Sequence, residues 1–85
     1  MRLEISPRAL ADLHHWIEQD RRKALKVMEL IAVCLRDPFV GIGKPEPLQH
    51  EFAACWSRRI DREHRIVYRV EGERLIVLQC RYHNG

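Results

Sequence analysis

The sequence CWSRRIDREHRIVYRVEGERLIVLQCRY, residues 55–82, decides the fold of this chain. Three runs within it, residues 55–60, 65–70 and 74–82, contain the β-branched and aromatic side chains that favour strands. Short polar segments at residues 61–64 and 71–73 separate the runs and are typical of tight turns. The stretch therefore predicts an antiparallel meander of three strands.

The alternation of side chains along these strands predicts one apolar and one polar face. The apolar face is expected to take three side chains from the second strand and four from the third: Ile66, Tyr68, Val70, Ile76, Leu78, Cys80 and Tyr82. The polar face is expected to carry the side chains between them: Arg65, Arg69, Gln79, Arg81 and His83. The apolar face should meet helices, which leaves the polar face open for chemistry.

The first half of the chain predicts a short strand at residues 3–5 and two helices. Ser6-Pro7 supplies a hydroxyl N-cap followed by proline at the first helical position, so a helix should begin at Pro7. Asp20 can cap a second helix, and Asp37 before Pro38 should end it. Apolar side chains recur at helical spacing in both helices: Leu10, Leu13, Trp16 and Ile17, then Leu25, Met28, Ile31, Ala32 and Leu35.

These elements predict an α+β fold, with an N-terminal strand and a two-helix hairpin packed on one face of a mainly antiparallel sheet. An ordered loop should span residues 39–54, which include two glycines and two prolines. Eighty-five residues make a single domain, residues 1–85, because a chain this short has no room for a second core. No apolar run approaches the roughly 20 residues of a membrane span, so we expect a cytoplasmic protein without a membrane partner.

The cysteines and the charges narrow the chemistry further. Three cysteines, none in a C-x-x-C pair, indicate reduced thiols rather than a disulfide framework or a zinc site. Residues 1–55 carry eight Lys/Arg and eight Asp/Glu, whereas residues 56–85 carry seven Arg and four Asp/Glu, so the net charge of +3 arises in the last thirty residues. Clustered arginines suit a phosphate-bearing partner. An acidic protein partner or an ordinary solvated face would fit the same charges.

Three residues of the C-terminal half could together cleave RNA. Attack of a 2′-hydroxyl on the neighbouring phosphate needs a base, a cation for the crowded phosphorane, and an acid for the departing oxygen. Glu46, held between two prolines, suits the base; Arg65 suits the cation; and His83 suits the acid. Each of them alone would be typical of a surface group, so it is the combination that indicates catalysis.

Four motifs in this order resemble the YoeB family of the RelE-like toxins: K-P-E-P-L at residues 44–48, W-S-R-R at 56–59, E-H-R-I-V-Y at 63–68 and C-R-Y-H at 80–83. The resemblance covers most of the chain. It implies a toxin that cuts mRNA in the ribosomal A site without a metal or other cofactor, with Glu46, Arg65 and His83 as its catalytic set. The chain departs from the family at Gln49, where a lysine is usual, and at Asn84, where a tyrosine is usual.

The resemblance also implies a set of partners. These are a YefM-like antitoxin whose acidic or hydrophobic segment folds onto the toxin, the ribosome with its mRNA, and operator DNA reached through the toxin–antitoxin complex. The expected RNA contacts are Lys44, Arg58, Arg59, Arg81, Tyr82 and Asn84. For the three arginines, surface ion pairs remain an equal alternative. Two rival functions also remain, a non-catalytic nucleic-acid-binding module and a toxin of the same fold that inhibits gyrase by binding it.

Overall fold

The computed structural model describes residues 1–82, apart from the side chain of Glu51. The elements follow the chain as β1 (Arg2–Ile5), α1 (Pro7–Gln19), α2 (Arg21–Arg36), β2 (Glu46–Pro47), a 3-10 turn (His50–Phe52), β3 (Cys55–Arg59), β4 (Arg65–Glu71) and β5 (Arg74–Gln79). The strands form one sheet in the order β1-β5-β4-β3-β2. Only the β1–β5 pair is parallel within these residues. The predicted α+β architecture, with two helices against a mainly antiparallel sheet, is confirmed.

The ends of the helices lie where capping residues were predicted. The Ser6 hydroxyl accepts a hydrogen bond from the Ala9 N–H at 3.0 Å, and Pro7 fills the first helical position. The Asp20 carboxylate accepts from the Lys23 N–H at the start of α2. At the end of α2 the Asp37 carboxylate accepts from the backbone N–H groups of Phe39 and Val40, which turns the chain away from the helix. These local signals act within one turn, so the sequence alone fixes them.

The buried stripe of each helix differs from the prediction. Leu10, Ile17, Leu25 and Met28, which belong to the apolar sets predicted from helical spacing, are all more than half exposed. Trp16 and Ile31 of the same sets are buried, and the other buried side chains are Ala9 and Asp12 in α1 and Ala24, Val27, Leu30 and Cys34 in α2. The burial therefore follows the side of each helix that packs on the sheet, which spacing alone does not identify.

A β-bulge changes which face each side chain of β5 occupies. Val67 pairs with Gln79, whereas the next residue, Tyr68, pairs with Val77, so Leu78 is an extra residue in β5. As a result Leu75 and Val77 lie in the core, and Ile76 pairs with Arg69 on the other face. The predicted apolar face was therefore wrong for Ile76 and Leu78. It holds for Ile66 and Tyr68 of β4 and for Cys80, which join the core as expected. Cys80 does so because the bulge returns the chain to the predicted alternation.

Beyond the bulge β5 ends at Gln79, before the predicted limit at residue 82. The backbone of Cys80 is held by side chains instead of by a neighbouring strand: its N–H donates to the Asp12 carboxylate at 3.0 Å, and its C=O accepts from the Trp16 indole at 2.8 Å.

In the part of the chain described, no helix is long and apolar enough to span a bilayer.

Candidate active site

Glu46 and Arg65 meet on the face of the sheet that points away from the helices. Glu46 is opposite Ser57 in the β2–β3 pair, and Arg59 is opposite Arg65 in the β3–β4 pair. Directly paired residues share a face, and so do alternate residues of a strand, so all four lie on one side. There the Arg65 Nη1 is 2.7 Å from the Glu46 Oε1. The Glu46 side chain is 54% exposed and the Arg65 side chain only 9%, so the carboxylate lies at the mouth of this site.

Backbone hydrogen bonds on both sides hold Glu46 in place. The Arg59 N–H donates to the Gly43 C=O at 2.7 Å, and the Leu48 N–H donates to the Cys55 C=O at 2.9 Å. Between these two bonds Pro45 and Pro47 restrict φ, so little backbone freedom remains. The predicted loop of residues 39–54 is therefore ordered and contributes β2 to the sheet.

The guanidinium of Arg65 has donors to spare. Its Nη1 binds the Glu46 carboxylate, and its Nη2 donates to the Lys44 C=O at 3.3 Å. The Nε has no hydrogen-bond partner among the described residues, although it is buried. Buried donors without partners are uncommon and often mark a site for water, an ion or a ligand. Arg65 is thus held in a fixed position and can still accept an anionic ligand.

Four further buried polar atoms on or beside this face also lack hydrogen bonds in the described chain: Ser57 Oγ, Gln79 Nε2, Arg81 Nε and Arg69 Nε, the last of which is ion-paired with Glu71. Ser57 and Gln79 are the two residues that pair with Val67 of β4, so both lie on the same side of the sheet as Arg65. The placement of Gln79 on the same face as Arg65 was predicted from the alternation of β4 and β5. Ser57 was missed as a site residue, although its position two residues from Arg59 could have indicated it.

Arg58 does not reach the candidate site, which corrects its assignment as an RNA contact. Its side chain is fully buried on the helix side of the sheet. Its donors go to the backbone carbonyls of Asp37, Val40 and Ile42 at 2.6, 3.0 and 2.9 Å, and to the Tyr68 hydroxyl at 3.2 Å. Within residues 1–82 it forms no ion pair either. Neighbouring side chains of a strand point to opposite faces of the sheet, so Arg58 and Arg59 lie on different faces.

Arg59 and Lys44 are exposed, so their side chains remain available to a ligand. Tyr82 is 49% exposed, and the Arg81 guanidinium lies 4.6 Å from the centre of its ring. The other two candidates, His83 and Asn84, lie outside the described residues. Among the residues that are described, no three or more His, Cys, Asp and Glu side chains form a group that could hold a metal ion.

This arrangement can bind and polarise a phosphate. A carboxylate at the mouth can accept a proton, while a buried guanidinium beside it stabilises negative charge that develops on a phosphorus centre. The Arg65 Nη1 contacts Glu46, whereas its Nε has no partner among the described residues and can bind a phosphate that enters the site.

Comparison with known proteins agrees with the fold and the motifs. Residues 5–84 match the YoeB-like toxins of bacterial type II toxin–antitoxin systems. The chain is 45% identical to Toxin YoeB of Streptomyces coelicolor over 83 residues, 98% of this chain and 99% of the relative. A solved YoeB/ParE toxin from Agrobacterium tumefaciens superimposes with a TM-score of 0.94 at 46% identity and covers 99% of this chain and 100% of its own. A chain of the YoeB-YefM complex from Staphylococcus aureus gives a TM-score of 0.88 at 33% identity, covering 99% and 98% of the two chains. The chain therefore belongs to the YoeB-like toxins of bacterial type II toxin–antitoxin systems.

Proposed function

We propose that this toxin is a ribosome-dependent mRNA endonuclease that cuts in the ribosomal A site by metal-independent acid–base catalysis. The observation that carries the proposal is the 2.7 Å contact between Glu46 and Arg65, with the Arg65 Nε left without a partner among the described residues. A base and a phosphate-binding cation are thus adjacent on the face of the sheet that points away from the helices. Neither group would be needed in this arrangement to stabilise the core.

The reaction follows from the chemistry of these side chains. Glu46 takes the proton from a ribose 2′-hydroxyl, and the resulting oxygen attacks the adjacent phosphorus. Arg65 stabilises the negative charge on the phosphorane. The bond from phosphorus to the 5′-oxygen then breaks, and His83 supplies the proton that the departing oxygen needs. The products are a 2′,3′-cyclic phosphate and a 5′-hydroxyl end.

The same face offers contacts for RNA around the reacting phosphate. Lys44 and Arg59 are exposed beside β2 and β3 and can bind neighbouring phosphates. Tyr82, half exposed beneath the Arg81 guanidinium, presents a ring on which a base can stack. Asn84 follows two residues later and offers an amide. We therefore assign substrate contacts to these side chains and none to Arg58.

An antitoxin is the proposed protein partner, as in the solved YoeB-YefM complex of the Staphylococcus aureus relative. The outer surface of the helical hairpin suits a segment with apolar and acidic side chains, because exposed apolar patches commonly mark protein interaction sites. A groove of about 550 Å³ on this surface is lined by five apolar side chains and one cation: Leu13, Ile17, Ala24, Leu25, Met28 and Arg21. Operator DNA would be bound through the same complex, and the ribosome and mRNA through the polar face. We place all of these events in the cytoplasm.

Mapping of mRNA 5′ ends after induced expression tests the endonuclease. Wild type should arrest growth and produce cuts within translated frames. Glu46→Ala and His83→Ala should each lower cleavage by roughly 100- to 10,000-fold, the range for loss of a general acid or base. Glu18→Ala removes an exposed carboxylate of α1 and should change nothing. Arrest without cuts would indicate a gyrase binder, and undiminished cutting by both mutants would refute the catalytic assignment.

A further inference from the structure

The backbone of Tyr82 is held on both sides by two adjacent residues at the start of β4. Its N–H donates to the His64 Nδ1 at 2.7 Å, and its C=O accepts from the Arg65 N–H at 3.2 Å. No strand pairing holds this segment, because β5 ends at Gln79. Tyr82 also has a φ of 67°, in the left-handed region that a tyrosine rarely adopts. Such a conformation persists only where the surroundings hold it.

The imidazole of His64 is itself held firmly, so it can act as an anchor. Its ring meets the edge of the Trp16 indole, with 4.7 Å between the ring centres. Its backbone N–H donates to the Asp61 carboxylate at 2.7 Å, and its C=O accepts from the Ile60 N–H at 2.9 Å. Because Nδ1 accepts a hydrogen bond, the ring proton of the neutral imidazole lies on Nε2. The ring therefore presents a fixed acceptor to the C-terminal segment.

We propose that His64 is a positioning residue for the catalytic histidine. The bond from the Arg65 N–H to the Tyr82 C=O holds the carbonyl end of Tyr82. The bond from Tyr82 to the His64 Nδ1 orients the preceding peptide group. Together the two bonds fix the backbone of Tyr82, the residue that precedes His83 in the sequence. Arg65 also binds Glu46, so residues 64 and 65 link the Tyr82 backbone to the proposed base.

The inference rests on the proposed function, in which His83 supplies the proton to the departing oxygen. In this role His64 makes no contact with RNA. Substitution of His64 should therefore lower the rate of the chemical step and change much less the concentration of ribosomes needed for half-maximal cutting. A misplaced catalytic group commonly lowers the rate by up to about 100-fold.

Three substitutions of His64 separate its acceptor from its bulk. His64→Phe keeps a ring against Trp16 and Tyr82 but has no acceptor. His64→Asn places its amide oxygen where Nδ1 lies, whereas His64→Gln carries the same amide one carbon further out. We expect single-turnover cleavage on programmed ribosomes to fall roughly 10- to 100-fold in the Phe and Gln variants and to recover in the Asn variant. His14→Phe, at an exposed position of α1, is the matched control and should cut as wild type does.

Amide hydrogen exchange in the free protein gives a second measurement that needs no RNA. The Tyr82 amide should exchange roughly tenfold faster in His64→Phe and His64→Gln than in wild type, because one hydrogen bond is lost, and the Asn variant should restore its protection. Equal cleavage by His64→Phe and wild type would overturn the positioning role. So would Asn and Gln variants that cut at the same rate. A wild-type protein that cuts no mRNA would overturn the proposed function and this inference with it, and is thereby distinguished from failure of the positioning role alone.

Discussion

Replacing Arg58 with methionine should strongly destabilise the fold, although Arg58 is only one of seven arginines in the last thirty residues. The guanidinium binds the backbone carbonyls of Asp37, Val40 and Ile42, which attaches the start of the loop to the sheet. Methionine is unbranched and apolar, so it can fill much of the space but donates nothing. Three carbonyls would lose their donor, at a cost of about 1 to 3 kcal/mol each.

Two effects reduce the sum of these costs. The loop residues from Phe39 to Ile42 are exposed, so their carbonyls can turn towards water. Removing the guanidinium also removes a charge whose burial is itself unfavourable. We therefore expect a loss of about 3 kcal/mol, the lower end of the range. A domain of this length has a total stability of roughly 4 to 13 kcal/mol, so the change is a large share of it.

Urea unfolding followed by tryptophan fluorescence measures this effect. With an m-value of about 1.5 kcal/mol per molar, the midpoint of Arg58→Met should fall by about 2 M. Arg59→Met is the matched control, since the neighbouring side chain is exposed and its loss should cost less than about 0.5 kcal/mol. Equal midpoints for the two variants would show that the buried contacts of Arg58 contribute nothing, which refutes the reasoning.

Two further predictions concern the site and the core. Arg65→Lys should lower single-turnover cleavage by roughly 100-fold. Lysine keeps the charge, but it lacks the planar fork with which arginine can bind the Glu46 carboxylate and a phosphate at once. Equal cleavage rates for Arg65→Lys and wild type would mean that the charge alone matters. Stability should fall as the pH rises above about 9, because burial raises the pKa of both Tyr68 and Cys80 to about 12. Both groups stay protonated in the native state at pH values where the unfolded chain has already lost the protons, so their contribution is present at neutral pH and disappears as the pH approaches 12. Urea midpoints from pH 8 to 11 should fall less steeply for Cys80→Ala than for wild type, and identical slopes would contradict the assignment.

Much of the fold could be predicted because its signals are local. The caps at Ser6 and Asp20 and the turn after Asp37 each depend on hydrogen bonds within a few residues, and all three lie where the sequence indicates. The pairing of Glu46 with Arg65 was indicated only as a combination of residue types. Their contact depends on β2 joining the edge of the sheet beyond β3, and a two-residue strand between prolines gives no periodic signal.

The sequence by itself determined the ends of the helices, the antiparallel meander of β3 to β5 and the position of Arg65 on the sheet face away from the helices. Only the tertiary structure decided which apolar side chains of each helix are buried, because Leu25 and Val27 are both apolar and the choice depends on the sheet against which α2 packs. It also decided the bulge at Leu78, which results from the pairing of β4 with β5. The burial of Arg58 was decided in the same way, because its guanidinium binds a loop about twenty residues earlier in the chain. Contacts between distant residues select among patterns that local propensity leaves equal.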